Sequence, residues 1–84
     1  MKAYVLITAR HGTAYKLAES IRKVKNVTSA DCVYGHYDVI AIVQSQEMKS
    51  VSRVVNQIQK YQQIIHTETA FSHLAEDVES GISE

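Results

Sequence analysis

The sequence predicts an α+β sandwich, a four-stranded antiparallel sheet with two helices packed on it. Three observations carry that prediction. Strand-like and helix-like segments alternate in the order strand, helix, strand, strand, helix, strand. Two of the strand segments are apolar on both faces and two are of mixed polarity, as central and edge positions require. Each helical segment has a single apolar stripe, enough to cover one side of a sheet and no more.

The first strand is expected over Lys2 to Ala9, where Ala3, Val5, Ile7 and Ala9 form one face and Tyr4 and Leu6 the other. After Gly12, Thr13 is placed to cap a helix whose apolar residues Ala14, Leu17, Ala18, Ile21 and Val24 recur at helical spacing. Lys16, Glu19, Arg22 and Lys23 occupy its outer side. Asn26 tolerates the left-handed backbone that ends a helix, and Val27 to Tyr34 follows as a second strand of mixed polarity.

Gly35-His36 makes a tight connection into a third strand, Tyr37 to Val43, with Tyr37, Val39, Ala41 and Val43 against Ile40 and Ile42. Ser45 is a candidate cap for the second helix, which turns Met48, Val51, Val54, Val55, Ile58 and Tyr61 inward. Ile64 to Phe71 reads as the fourth strand, Ile64, His66, Glu68 and Ala70 on one face and Ile65, Thr67, Thr69 and Phe71 on the other. This element order is that of a ferredoxin-like βαββαβ sandwich, and the two strands richest in apolar residues are the ones that fold places centrally. Two helices cover one face of such a sheet, so the apolar groups on the other face need a second subunit.

A chain of 84 residues makes one domain, expected over residues 1–73. Residues 74–84 are set apart as an acidic tail or short helix, in which Leu74, Ala75, Val78 and Ile82 have helical spacing. The formal net charge is zero, which argues against direct DNA binding through bulk positive charge. No apolar run is long enough for a membrane span, and the single cysteine, Cys32, favours a cytoplasmic protein.

The candidate chemistry is sparse. His66, Glu68 and His73 match no compact metal motif, so no metal or cofactor is expected and these residues read as solvent-facing groups. Cys32, four residues before His36, reads as a small buried hydrophobe rather than a nucleophile. Asp38 is the most informative polar residue, because it heads an apolar strand directly after a turn. Its carboxylate has three readings: a cap on turn amides, a contact to a ligand or subunit, or a catalytic acid or base. Thr67 and Thr69, among apolar neighbours, suit either a plain strand or a small amphipathic ligand.

Gly35-His36-Tyr37-Asp38 followed by Val39-Ile40-Ala41-Ile42-Val43, with Tyr4-Val5-Leu6-Ile7 before it and Thr67-Glu68-Thr69 after it, resembles the ligand-binding (RAM) domain of the Lrp/AsnC regulators. The resemblance spans about residues 2 to 71. It implies a dimeric αβ-barrel in which two sheets face each other, with homodimers assembling further into octamers or decamers. It also implies an amino acid or related effector bound near Gly35, Tyr37 and Asp38, with Thr67 and Thr69 as further ligand-binding residues. Because the first strand begins almost at Met1, the chain is expected to be a stand-alone member without the helix-turn-helix domain, acting through helix-turn-helix partners. Where the family usually has glycine before the second and fourth strands, this chain has Asn26 and Gln62-Gln63.

The functional expectation is a non-enzymatic effector-binding and oligomerisation module. Two alternatives differ from it in class. One is a small enzyme of the dimeric αβ-barrel group, with an ionisable group reaching between helices and sheet; the other is a purely structural oligomerisation protein.

Overall fold

A computed structural model describes residues 1–72, so the expectation for 74–84 lies outside the described residues. The elements are β1 (Lys2–Ala9), α1 (Ala14–Arg22), β2 (Val27–Cys32), β3 (Val39–Gln44), α2 (Met48–Ile58) and β4 (Ile64–Ser72). They form one four-stranded sheet in the order β2-β3-β1-β4, every neighbouring pair antiparallel. This is the ferredoxin-like arrangement, with β1 and β3 central and β2 and β4 at the edges, as the polarity of the strands predicts.

Strand alternation decides what the helices cover. Ala3, Val5, Ile7 and Ala9 of β1 and Val39, Ala41 and Val43 of β3 are buried beneath Leu17, Ala18 and Ile21 of α1 and Val51, Val54, Val55 and Ile58 of α2. Among the described residues this core is wholly aliphatic, with no buried polar or charged side chain. Register pairs Tyr4 with Ile42 and Leu6 with Ile40 on the opposite face, where all four are half-buried without any helix above them. Lys2 extends along that face, its Nζ 5.2 Å from the centre of the Tyr4 ring.

Local chemistry sets the turns. Asn26 takes φ +74°, the left-handed conformation expected of it, and Gly12 and Gly35 have φ +80° and +136°. The two expected caps act differently. Thr13 stands at the N-cap of α1, but its hydroxyl donates back to the Arg10 carbonyl at 2.7 Å. Ser45 does not stand at the N-cap of α2: Glu47 occupies that position without a side-chain cap bond, and the Ser45 hydroxyl accepts the Glu47 amide at 3.3 Å in the preceding turn. At the edge of the sheet, Arg22 Nε donates to the Ala30 carbonyl of β2 at 2.7 Å, tying a strand with one unpaired side to α1.

Further expectations change for reasons of register. β2 stops at Cys32 and β3 starts at Val39, because the positive φ of Gly35 turns the chain out of the sheet and leaves Tyr34 and Tyr37 in the connection. Cys32 is exposed rather than buried, since it ends an edge strand at the rim of the helical layer. In β4, Thr8 pairs with His66 but Ala9 with Ile64, so Ile65 is an extra residue in a β-bulge. The bulge sends Ile64 toward the core while His66, Glu68 and Ala70 remain on the open face. Ile64 and His66, expected on one face, therefore lie on opposite ones, and Ile65 is left 62% exposed.

Replacing Asn26 tests the turn after α1. Asn26→Ala should cost about 1–2 kcal/mol in urea unfolding at fixed protein concentration, whereas Asn26→Gly should stay within about 0.5 kcal/mol of the parent. Equal losses for both variants would mean that the asparagine side chain, not its backbone angle, is what matters there.

Candidate functional site

Two connections meet beside the ends of β1 and β3: Arg10 to Thr13, leading into α1, and Val33 to Asp38, joining β2 to β3. Asp38 ties them to the sheet. Its amide donates to the Ile7 carbonyl at 2.8 Å and its carbonyl accepts the Val33 amide at 2.9 Å. Pairing of β1 with β3 ends at Ile7 and Val39, which leaves the Ala9 amide with no strand partner on that side. Asp38 Oδ2 takes that amide at 2.7 Å, so the carboxylate completes a ladder that the backbone of β3 cannot reach. Of the three readings of Asp38, amide capping is realised, but on β1 rather than on its own turn.

Beside this bond lies an open cleft of about 330 Å³, bounded by Gly12 and Tyr15 on one side and by Cys32, Val33, Tyr34 and Asp38 on the other. Asp38 is the charged residue in its lining. Tyr15 and Tyr34 are 67% and 104% exposed, so neither aromatic side chain serves the core. A Cβ on Gly35 would meet nothing within 4 Å. Glycine is needed there for its backbone angle and not for space. A second cleft, about 210 Å³, lies between the end of α1 and α2 and is lined by Lys25 and Arg53 with no carboxylate.

Tyr37 leaves the cleft and crosses β1 on the open face of the sheet, where its hydroxyl donates to Glu68 Oε1 of β4. That bond to a carboxylate raises the Tyr37 phenol above its ordinary pKa of 10.0, with desolvation and repulsion from the Glu68 charge acting in the same direction. Thr67 and Thr69 pair with Ile7 and Val5, on the helix side of β4. Gln59 Nε2 donates to Thr67 Oγ1 at 3.2 Å, and the buried Thr69 hydroxyl has no hydrogen-bond partner.

The structure thus brings Asp38 to the lining of the cleft, leaves Gly35 in the adjoining turn outside that lining, and sends Tyr37 to the open face. Thr67 and Thr69 lie on the far edge strand. Tyr15 and Tyr34, which line the cleft, and Ala9, whose amide holds Asp38 at its edge, were not singled out in the sequence. A signal existed for Tyr15, a large aromatic directly after a glycine turn and off the apolar stripe of its helix. None existed for Ala9, whose contribution is a backbone amide. His66 and Glu68 share the open face, and among the described residues no three His, Cys, Asp or Glu side chains gather closely enough to hold a metal ion.

The family model for the Lrp/AsnC ligand binding domain matches residues 2–75. The chain belongs to that family, the ligand-binding domain of a class of transcription regulators. Among solved structures, it is similar to TTHA0845 from Thermus thermophilus, 31% identical over 88% of this chain and 94% of that one, with a TM-score of 0.80. It is also similar to the hypothetical protein PHS023 from Pyrococcus horikoshii, 27% identical over 87% and 89%, with a TM-score of 0.81. The transcriptional regulator NMB0573 from Neisseria meningitidis, solved as a complex with L-Met, shares the fold at 19% identity and a TM-score of 0.71. The likeness covers 88% of this chain and 50% of the Neisseria one. No curated protein matches.

Two substitutions probe the geometry. Asp38→Ala leaves the Ala9 amide without an acceptor and should cost about 1–3 kcal/mol, while Asp38→Asn keeps an acceptor and should lose less; chemical denaturation compares them. For Tyr37 the folded-state pKa lies above the unfolded one, so its contribution to stability is complete below pH 10.0 and falls as pH rises through the folded value. Tyr37→Phe should therefore flatten the loss of stability above pH 10.0 and remove from the ultraviolet titration a phenol that ionises above that pH.

Proposed function

We propose that this chain is a non-enzymatic effector-binding and oligomerisation module that takes an amino acid at the Asp38 cleft and modulates transcription through helix-turn-helix partners. The observation that carries this reading is the placing of a sheet-anchored carboxylate in an open cleft within a chain of the Lrp/AsnC ligand-binding family. At about 330 Å³ the cleft is near the lower end of the ~300–1,000 Å³ of small-molecule sites, which suits an effector of amino-acid size. The L-Met complex of the Neisseria regulator supports the same class of ligand. Gly35 sets the turn, and Asp38 accepts hydrogens from the ligand amine.

Assembly is the second half of the proposal. Tyr4, Leu6, Ile40 and Ile42 present an apolar strip on the face the helices leave open, and a second copy of the chain covers it to form a homodimer. The Tyr37–Glu68 pair then lies at the border of that interface. Thr67, on edge strand β4 and outside the lining of that cleft, joins a ligand site in a neighbouring subunit as dimers build octamers or decamers, whereas the buried Thr69 hydroxyl is closed to a ligand. The zero net charge supports a module that leaves DNA contact to its partners. No helix among the described residues is long and apolar enough to cross a membrane. An enzyme of the dimeric αβ-barrel group needs an ionisable group between helices and sheet, and among the described residues that interior holds none.

Calorimetric titration with each of the twenty amino acids, followed by native mass measurement with and without each, tests the effector role. Binding coupled to a change in mass is expected; no binding and no change would leave only a structural role. Ile42→Glu, on the open face, should yield a folded monomer by light scattering and circular dichroism. A parent chain that is itself monomeric at micromolar concentration would refute the dimer.

A further inference from the structure

We infer that the Asp38 cleft is an amine site: it recognises a protonated primary amine on an apolar or aromatic body, and a carboxylate on the ligand is dispensable. This rests on the effector-binding reading and narrows it to a chemical class. Asp38 is the charged group among the described lining residues, which include no lysine or arginine. A carboxylate accepts up to about four hydrogen bonds, so the Ala9 amide at 2.7 Å orients Asp38 and leaves capacity for an ammonium group. Tyr15 and Tyr34 stand in solvent at the mouth of the cleft, and an aromatic ring within about 6 Å attracts a cation through its face.

The same cleft is unsuited to an anion. A ligand carboxylate entering it meets the like charge of Asp38 and no compensating cation. Arg10, the cation of the adjoining connection, donates Nε to the Gln62 carbonyl at 3.2 Å, on the approach to β4. Lys25 and Arg53 line a different cleft, the one between the end of α1 and α2. Charge is thus sorted between the two clefts, and at the Asp38 cleft it selects for the amine.

Matched pairs test this on the full chain by calorimetry and by amide shifts in nitrogen-15 NMR: L-leucine with isopentylamine, L-phenylalanine with 2-phenylethylamine, and L-methionine with 3-(methylthio)propylamine. In each pair that binds, the amine is expected to bind at least as tightly as the amino acid and to shift the amides of Gly12, Tyr15 and Tyr34. Asp38→Asn, which keeps an acceptor for the Ala9 amide, should weaken the amine about ten- to a hundredfold. Tyr34→Ala, at a fully exposed position, should weaken it about two- to fivefold. Amino acids that bind about tenfold more tightly than their amines would overturn the amine site and leave the effector role standing, whereas shifts confined to other parts of the chain would overturn the Asp38 cleft as the site of either. Silence from both members of every pair would overturn both.

Discussion

Two helices can cover one side of a four-stranded sheet, and the central strands of this chain are apolar on both. That constraint organises the molecule. The small and branched residues of β1 and β3 on the helix side, from Ala3 to Val43, form an aliphatic core that, among the described residues, contains no buried polar or charged residue. Stability therefore comes from burial and close packing. Polar chemistry is left to the rims: the ends of the strands, the connections, and the open face with its strip of Tyr4, Leu6, Ile40 and Ile42.

The rim where Asp38 sits shows how a structural bond can prepare a site. A carboxylate at the head of an apolar strand is costly unless it finds donors. Here it finds the Ala9 amide, which has equal need of an acceptor once the pairing of β1 with β3 has ended. The bond satisfies both groups and holds the carboxylate still at the edge of a cleft whose other walls include Gly12, Cys32, Val33 and two exposed tyrosines. A fixed charge loses little freedom when it takes a further donor, which is the physical meaning of a preorganised site.

The opposite edge of the sheet is organised differently. β4 carries a bulge at Ile65, and through it a single strand supplies Ile64 to the core and His66 and Glu68 to the open face. Glu68 in turn receives the Tyr37 hydroxyl from across β1. The turn that holds Asp38 is thereby connected to the far edge strand, over the face that a second subunit would cover.

Local pattern by itself determined the element order, the central placing of β1 and β3, the aliphatic stripes of both helices and the left-handed turn at Asn26. Each of these depends on residues a few positions apart, through periods of two and of 3.6 or through the backbone preference of one residue type. Gly35 was legible as a turn residue and Asp38 as a carboxylate in need of donors, from their place between two strands. Tertiary structure alone decided the partners. Asp38 meets an amide 29 residues away and Tyr37 a carboxylate 31 residues away, pairings that depend on strand register. The bulge at Ile65 and the exposure of Cys32 are likewise set by where each strand's neighbour ends. No period within a strand encodes the point at which its partner runs out, and so the cleft, its tyrosines and its charge became visible only once the sheet was assembled.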